Sequence, residues 1–189
     1  MKTKYFQMMY AWNSDNEDTV FCGKEEIYNI DRYAVMNGTR IEKIDERTCF
    51  YTSRGSVFED YLDNILGWPL ISKKLKKIFL DLNISGVKFF PIAIKNEETK
   101  TKICDYWLLN IYNFPDALDL SKSRYREFLE EHNMVMGLTH PVLIGNQVEN
   151  MNILRVRKEK MIIYVSGKLK KAIEKNKITG IAFREVKVV

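Results

Sequence analysis

One stretch decides the fold: ISKKLKKIFLDLNISGVKFFPI, residues 71–92. A related stretch, VSGKLKKAIEKNKITGIAFREV, occupies residues 165–186, and the two align without a gap at an offset of 94 residues (166 − 72 = 94). Over residues 72–92 and 166–186, eight of the 21 positions are identical. Two copies are too few for a solenoid, which stacks three or more units. We therefore predict one supersecondary unit that is used twice inside a single domain covering residues 1–189.

Each copy has the pattern of a helix, a glycine turn and a strand. It opens on a serine, which is a good helix N-cap because its oxygen accepts from the free amides of the first turn. Apolar residues follow at the i, i+3 and i+4 spacing of one helix face. A glycine suited to positive φ then precedes residues that alternate as in a strand. The residues that define the two units are Ser72, Leu75, Gly86 and Phe89, and Ser166, Leu169, Gly180 and Phe183.

The rest of the chain predicts an α+β domain with a mixed or antiparallel sheet. Strands outnumber helices along the sequence, and their order is not a strict alternation of strand and helix. Residues 5–12 and 103–112 indicate strands, the second of them central, whereas residues 58–65 suggest one or two helical turns. We expect residues 1–66 to form a β-rich N-terminal part and residues 67–189 to carry both copies of the unit.

Composition excludes several classes of protein. Hydrophobic residues make up 46% and aromatic residues 12% of the chain, which is typical of a folded globular protein rather than a disordered one. No window approaches the roughly 18 consecutive apolar residues of a membrane-spanning helix. The N-terminus lacks the apolar region and the cleavage site of a signal peptide. We therefore expect a cytoplasmic protein without a membrane span.

The lysine-rich helix starts, KKLKK at residues 73–77 and GKLKK at residues 167–171, have two explanations. One is a patch for nucleic acid or for an anionic membrane surface. The other is a solvated helix face whose lysine stems cover apolar surface. The runs are short, acidic residues follow closely, and the net charge of +5 is mild. These facts favour the solvated face, and nucleic acid is not the expected partner.

Motifs that carry chemistry are missing from the sequence. It contains no nucleophile elbow, phosphate loop, dinucleotide fingerprint or C-x-x-C pair. Its two histidines lie eight residues apart, so they do not have the spacing that places two metal ligands on adjacent turns of a helix. Asp116 and Asp119 have an i, i+3 spacing that suits metal binding or acid–base work. Because aspartate is also favoured in turns after proline, a structural role for both is preferred. We expect no catalytic, cofactor-binding or metal-binding residue, and hence a binding module.

Three blocks of the sequence, taken together, resemble the pattern of a known protein family. They are GWPLIS with KL and I-x-G-V-x-F-x-P at residues 67–91, DYWLLN with DALD and SKS at residues 105–123, and VS-x-KLK with ITGI-x-F at residues 165–183. In this order they resemble the bacterial immunity-protein family eleven, over roughly residue 68 to the C-terminus. The resemblance implies a small cytoplasmic antidote that binds a cognate secreted toxin of a polymorphic toxin system and catalyses no reaction.

A toxin-binding surface of this kind needs a few aromatic or charged anchors. We expect them among exposed aromatic residues of the N-terminal third and among nearby carboxylates. These candidates are Tyr10, Trp12, Tyr61, Trp68, Asp60 and Asp63, with residues 15–18 as a further acidic patch. Trp68, between a glycine and a proline, is either a core residue or an interface anchor, and the core is favoured. The alternative functions are a nucleic-acid-binding module on the two basic faces and an enzyme with a carboxylate site at Asp116 or Asp119.

Overall fold

Two mixed β-sheets and two main helices form the fold in the computed structural model, which describes residues 3–11 and 18–189. The strands found there are β1 (Tyr5–Tyr10), β2 (Phe21–Cys22), β3 (Lys24–Glu26), β4 (Cys49–Thr52), β5 (Tyr61–Asn64), β6 (Leu70–Ile71), β7 (Val87–Asn96), β8 (Lys102–Ile111), β9 (Glu127–Leu129), β10 (Met134–Met136), β11 (Val142–Leu143), β12 (Ile153–Val156), β13 (Glu159–Ser166) and β14 (Ile181–Val188). The helices are α1 (Lys73–Asp81), α2 (Gly145–Val148) and α3 (Gly167–Lys175), with a 3-10 turn at Glu130–His132. Within this described part, no helix is long and apolar enough to cross a membrane.

The larger sheet has seven strands in the order β2-β5-β6-β8-β7-β4-β3, and the smaller one has five in the order β11-β14-β1-β13-β12. β9 and β10 form a separate hairpin. Both large sheets mix parallel and antiparallel pairs. The predicted α+β class with a mixed sheet is confirmed, and the strand expected at residues 103–112 is β8, the middle strand of the larger sheet.

Five strands and a helix recur with the same connections in the two halves of the chain. The first half, residues 18–111, runs β4-β5-β6-α1-β7-β8, and the second, residues 3–11 with 112–189, runs β11-β12-β13-α3-β14 and takes β1 as its last strand. The sheet orders then match, β4-β7-β8-β6-β5 against β11-β14-β1-β13-β12. Equivalent pairs also agree in being parallel or antiparallel. The second half is thus the first with its last strand moved to the other end of the sequence.

The strand register repeats as well. In the first half Ile71 of β6 pairs with Trp107 of β8. In the second half Val165, the equivalent of Ile71, pairs with Phe6 of β1. Phe6 therefore takes the place of Trp107. The other neighbouring strands agree, because Trp107 pairs with Pro91 of β7 and Phe6 pairs with Glu185 of β14, which is the equivalent of Pro91.

Each half holds one lysine over two aromatic rings. Lys76 Nζ lies 4.6 Å from the ring centroid of Trp107 and 5.6 Å from that of Phe89. Lys170 Nζ lies likewise 5.1 and 5.5 Å from the centroids of the two equivalent rings in β1 and β14. A cation over an aromatic face is attracted by the ring quadrupole, so each lysine fastens its helix to its own sheet.

Both predicted N-caps are confirmed, and each serine makes the same two hydrogen bonds. Ser72 Oγ accepts from the amide three residues further on at 3.1 Å, and Ser166 Oγ does so at 3.3 Å. Each hydroxyl also donates to the side chain just before a strand, to Asp60 Oδ1 before β5 at 2.5 Å and to Asn152 Oδ1 before β12 at 2.8 Å. The acceptor is therefore charged in one half and neutral in the other.

The two predicted glycine turns are confirmed, and each touches the opposite half of the molecule. Gly86 and Gly180 have φ values of +78° and +79°. A Cβ at Gly180 would lie 2.4 Å from the carbonyl oxygen of Tyr61, and one at Gly86 would lie 2.0 Å from the side chain of Asn113. Glycine is needed at both positions for its conformation and for the space.

The two main helices share one core with the inner faces of both sheets. Leu75 and Phe79 of α1 and Leu169 and Ile173 of α3 belong to one cluster of buried side chains, together with residues of β1 and β8. Separate clusters lie on the outer faces of the seven-stranded and the five-stranded sheet. The halves are thus joined by a continuous apolar interior, which fixes the position of one relative to the other.

Residues 58–65 do not form the expected helical turns. The strand β5 lies there instead, and it pairs with β6 on one side and with β2 on the other. A short apolar run is compatible with either a helix or a buried strand, and pairing on both sides decides for the strand. Asp60 and Asp63 therefore do not share a helix face.

Candidate functional site

A cleft of about 380 Å³ opens where the two halves meet. The first half contributes β5 and the turn that follows it, and the second contributes residues of β1, β12, β13 and β14. Met8, Tyr61 and Ile163 line the cleft and also belong to the shared core. The wall is therefore apolar beside the core, while the charged lining residues are Asp63, Arg155 and Arg184.

Four of the six predicted partner-binding residues line this one cleft, namely Tyr10, Tyr61, Asp63 and Trp68. They come from opposite halves, since β1 belongs to the second half and β5 with its following turn to the first. Contacts between the halves bring these residues together, since the Tyr10 hydroxyl donates to Glu59 just before β5 and the Tyr61 amide donates to the carbonyl of Thr179. Their contact with a partner stays a prediction.

The remaining predicted residues lie elsewhere. Asp60 does not line the cleft, because its carboxylate accepts from the Ser72 hydroxyl at 2.5 Å and from the Thr179 amide at 3.1 Å, where the halves join. Trp12 and residues 15–17 fall outside the described residues. Asp18, the last residue of the expected acidic patch, accepts from the hydroxyl of a nearby serine.

Tyr61 is buried, so the expectation of an exposed aromatic anchor is wrong for this residue, and Trp68 is buried as well. Trp68 Nε1 donates to the carbonyl of Arg32 at 3.0 Å, and its ring packs edge-on against Phe50 with centroids 5.8 Å apart. These contacts confirm the favoured core role of Trp68. Burial raises the pKa of Tyr61 to about 12, although the positive charge of Arg155 opposes that shift.

Tyr10 and Asp63 lie on an acidic side of the cleft. The Tyr10 hydroxyl donates to Glu59 Oε2 at 2.5 Å, and burial together with this carboxylate raises the pKa of Tyr10. Asp63 Oδ1 accepts from the amide of Asn64 at 2.9 Å. Burial raises the pKa of Asp63 against the lowering effect of that amide, and the charge of Glu59 raises it further. The cleft thus holds a carboxylate that has lost part of its hydration.

Arg155 is the part of the cleft that the sequence analysis missed. The residue is 1% exposed, and its Nη1 donates to the carbonyls of Lys160 and Met161 at 2.7 and 2.9 Å. No described residue accepts from its Nε. Burial lowers the pKa of the guanidinium, whereas the charges of Tyr61 and Glu159 raise it. One signal was visible, because this arginine interrupts the otherwise apolar run ILRV at residues 153–156.

Exposed apolar side chains flank the cleft. Met161, which lines it, is 62% exposed. Ile65, next to the lining residue Asn64, is 55% exposed. Phe21 is 40% exposed and pairs with Asp63 across β2 and β5, so the two side chains share a face of the sheet. Large apolar residues grouped in this way, in contrast to single scattered ones, mark an interaction surface.

Asp116 and Asp119 do not form a joint site. Asp116 pairs with Lys158 at 2.6 Å. Asp119 accepts from the Ser121 hydroxyl at 2.6 Å and pairs with Lys122 at 3.1 Å, and these contacts hold its pKa below the usual value. Such local bonds agree with the favoured structural role. Across residues 3–11 and 18–189, no group of three or more His, Cys, Asp or Glu side chains is placed to hold a metal ion.

Several lysines of the two lysine-rich helix starts are engaged within the protein, most of them in the first. Lys74 Nζ pairs with Asp60 at 3.3 Å and donates to the carbonyl of Lys177 at 3.0 Å, across the boundary between the halves. Lys77 pairs with Asp81 one turn along the same helix. These contacts, and the lysines over aromatic rings, match the solvated face whose stems cover apolar surface. The exclusion of nucleic acid stays a prediction.

An α+β scaffold with a cleft between its halves and apolar side chains beside it has the properties of a protein that acts by binding. The family model described as Immunity protein family (Imm11) matches residues 4–188, so the chain belongs to this family. No match to a curated protein is found. The predicted family is confirmed, and the match includes the N-terminal third, which the three sequence blocks did not reach.

Proposed function

We propose that the chain is an immunity protein that binds a cognate secreted toxin in the cytoplasm and neutralises it by occupying its surface, without catalysing a reaction. Membership of the Immunity protein family (Imm11) over residues 4–188 is the observation that carries this proposal. In a polymorphic toxin system, such a protein protects the cell that produces the toxin.

The toxin is expected to bind at the cleft and the apolar side chains beside it. Protein interfaces concentrate their binding energy in a few central apolar and aromatic residues, with polar groups around them. Met161, Ile65 and Phe21 supply exposed apolar area here, and Tyr10 and Asp63 supply polar groups next to it. Because the shared core holds both walls in place before binding, little conformational entropy is lost when the toxin docks.

The charge of the chain bears on the kind of toxin. A protein with a net charge of +5 gains nothing from long-range attraction to a nuclease, whose active site is itself basic to attract phosphates. An acidic toxin surface fits this balance better, since complementary charges speed association and suppress wrong partners. We therefore expect the toxin to present carboxylates at the interface.

The test uses the toxin domain encoded beside this chain. The full-length protein is titrated into the purified domain by calorimetry at about 300 mM salt, where charges more than about 6 Å apart are largely screened. We expect a complex of one to one stoichiometry and a loss of toxin activity in proportion to the complex formed. Full toxin activity in a saturating excess of the protein would refute the proposal, and nucleic acid bound only at low salt would point to the basic helix faces instead.

A pair of surface variants locates the interface in the same assay. Met161→Ala removes most of an exposed side chain that lines the cleft, and we expect it to weaken toxin binding by about 10-fold or more. Ile103→Ala makes the same kind of change at a residue of β8 that is 45% exposed and does not line the cleft, and we expect no effect. The opposite pattern would place the toxin on another surface and leave the immunity function standing.

A further inference from the structure

Arg155 and Asp63 occupy equivalent positions in the two halves. β5 pairs with β6 and β12 pairs with β13 in the same register at Tyr61–Leu62 and Ile153–Leu154, and Asp63 and Arg155 are the next residues along their strands, Arg155 where the β12–β13 register shifts. Both line the cleft. Among the described residues no ion pair joins them, because Asp63 accepts from a backbone amide and Arg155 donates to backbone carbonyls. The halves thus place opposite charges at matched positions without neutralising them.

The buried guanidinium has a donor that its surroundings leave unused. Nη1 donates to two carbonyls at the start of β13, but the residues described here offer no acceptor to Nε. Glu159, whose charge acts on Arg155, uses its two oxygens for the amides of Met161 and Ile162 at 3.0 and 2.8 Å. The bonds to β13 therefore account for one nitrogen of the guanidinium. They do not explain a buried cation whose Nε donor is unpaired, which is an unfavourable arrangement in the free protein.

We infer that this guanidinium receives a carboxylate from an acidic side chain of the toxin, inserted into the cleft between the halves; the inference rests on the proposed function. Arginine binds a carboxylate through charge-assisted hydrogen bonds, which are stronger where water is excluded. Met8, Tyr61 and Ile163 supply an apolar wall for the aliphatic stem of that side chain. The partner then supplies an acceptor for the unpaired Nε donor and a negative charge in addition to that of Glu159.

The acidic side of the cleft favours a single carboxylate over a chain of phosphates. Asp63 and the carboxylate of Glu59, which Tyr10 holds at 2.5 Å, repel a polyanion that would run along the cleft. One side chain reaching the arginine brings only one charge past them, and Arg184 in the lining offsets part of that repulsion. A volume of about 380 Å³ is also that of a small-ligand site and not of a groove for a nucleic-acid strand.

The first experiment asks whether the cleft takes a carboxylate. The full chain, labelled with nitrogen-15 and with carbon-13 at the methionine methyl groups, is titrated with isovalerate and, as a neutral control of the same shape, with isovaleramide. We expect isovalerate to shift the Arg155 Nε–H resonance and the Met161 methyl resonance saturably, and the amide to bind about 10-fold more weakly or not at all. Equal binding of both compounds, or no saturable shift with isovalerate, overturns the inference.

The second experiment asks whether the toxin supplies the carboxylate. The toxin domain is added to the labelled chain, and its exposed acidic residues are replaced one at a time by their amides. We expect the Arg155 Nε–H resonance to shift in the direction seen with isovalerate, and one of these replacements to weaken binding by about 10-fold or more. If the toxin binds while this resonance stays in place, the inference fails and the proposed function stands. If isovalerate binds and the toxin does not, the proposed function fails. The cleft is then a site for a free carboxylate, and the inference that the toxin supplies the carboxylate is overturned.

A matched pair of variants tests the inference without changing the buried arginine. Met161→Glu adds a carboxylate at the cleft that competes with the incoming one, and Met161→Gln has the same size without the charge. We expect the glutamate variant to bind isovalerate and the toxin about 10-fold more weakly than the glutamine variant does, because only the glutamate repels the incoming carboxylate. Equal losses in the two variants would show that shape alone matters at this position and would overturn the inference.

Discussion

The first half of the molecule, residues 18–111, and the second half, residues 3–11 with 112–189, share a serine cap, a glycine turn and a lysine over two aromatic rings. At the matched position in the cleft, however, one half carries Asp63 and the other carries Arg155. The shared residues cap the N-terminus of a helix, turn the chain or fasten a helix to a sheet, so the same physical demand holds in both halves. The charged pair meets no such demand. A duplicated architecture therefore separates residues that the fold requires from residues that are free to differ.

The largest expected difference between the two halves concerns the cost of replacing the glycine in each turn. We expect Gly180→Ala to lower the free energy of unfolding by about 3 kcal/mol or more, because alanine is strained at a φ of +79° and its methyl group would lie 2.4 Å from the Tyr61 carbonyl oxygen. Gly86→Ala should cost less, since the atoms it meets belong to the Asn113 side chain, which can rotate. Urea unfolding followed by circular dichroism measures both, and equal costs would show that the two turns are constrained alike.

The helix caps test a smaller difference between the halves. We expect Ser72→Ala to lower the free energy of unfolding by about 2 kcal/mol and Ser166→Ala by about 1 kcal/mol, because only the first serine also donates to a carboxylate, that of Asp60. Asp60→Asn gives the first half the amide acceptor of the second and serves as the control. The cost of Ser72→Ala measured in that background should fall to the value for Ser166→Ala, and an unchanged cost would contradict this explanation.

Replacing the lysines that lie over aromatic rings should lower the free energy of unfolding by smaller amounts, which differ between the two halves. Replacing Lys170 by methionine keeps the stem and removes the charge, and we expect a loss of about 0.5–1 kcal/mol from the cation–π contact. Lys76→Met should cost less, because burial lowers the pKa of Lys76 and part of its attraction to the rings is therefore spent on desolvation. Thermal unfolding of the two variants at pH 7 measures the difference, and a larger loss for Lys76→Met would show that its desolvation is unimportant.

The smallest effect concerns Asp63 and its dependence on pH. Burial raises the pKa of this carboxyl, so the folded protein holds the proton more tightly than the unfolded chain does. The stability that this proton contributes is complete below the ordinary pKa of 3.8 and is lost as the pH rises from 3.8 through the raised value. We expect Asp63→Asn to remove this loss and to be slightly more stable than the unchanged chain at pH 7. Urea midpoints between pH 3 and pH 7 test this, and lower stability of the variant at pH 7 would mean that a positive group already stabilises the carboxylate.

The sequence supports some parts of the duplication far better than others. A helix cap and a turn at positive φ require particular residue types, so the two helix–turn–strand units remain recognisable at Ser72 and Ser166 and at Gly86 and Gly180. The other repeated strands leave no such trace. A buried strand position accepts several apolar side chains, so the correspondence of β4 with β11, of β5 with β12 and of β8 with β1 lies in register and burial. The same ambiguity explains why β5 was predicted as helical turns.

The candidate site shows a similar limit. Tyr10, Tyr61, Asp63 and Trp68 could be proposed as individual residues, but their position along one cleft depends on pairing between distant strands, which local patterns do not encode. The burial of Tyr61 was not expected for an anchor residue, because residue type alone does not specify exposure. Arg155 belongs to no sequence motif. Its importance depends on the unpaired Nε donor, which is seen only once the hydrogen bonds of the folded protein are known.

β1 forms the middle of the five-stranded sheet, although the ribosome makes it before every other described element. As the chain is synthesised, residues 18–111 can complete their seven-stranded sheet once they have emerged, whereas β1 has to wait for β13 and β14. The cleft takes Tyr10 from β1 and Arg155 from β12, so it forms only when translation has reached the far end of the chain. A nascent or prematurely terminated polypeptide therefore presents no such cleft, and the number of finished molecules in a cell sets the number of binding sites.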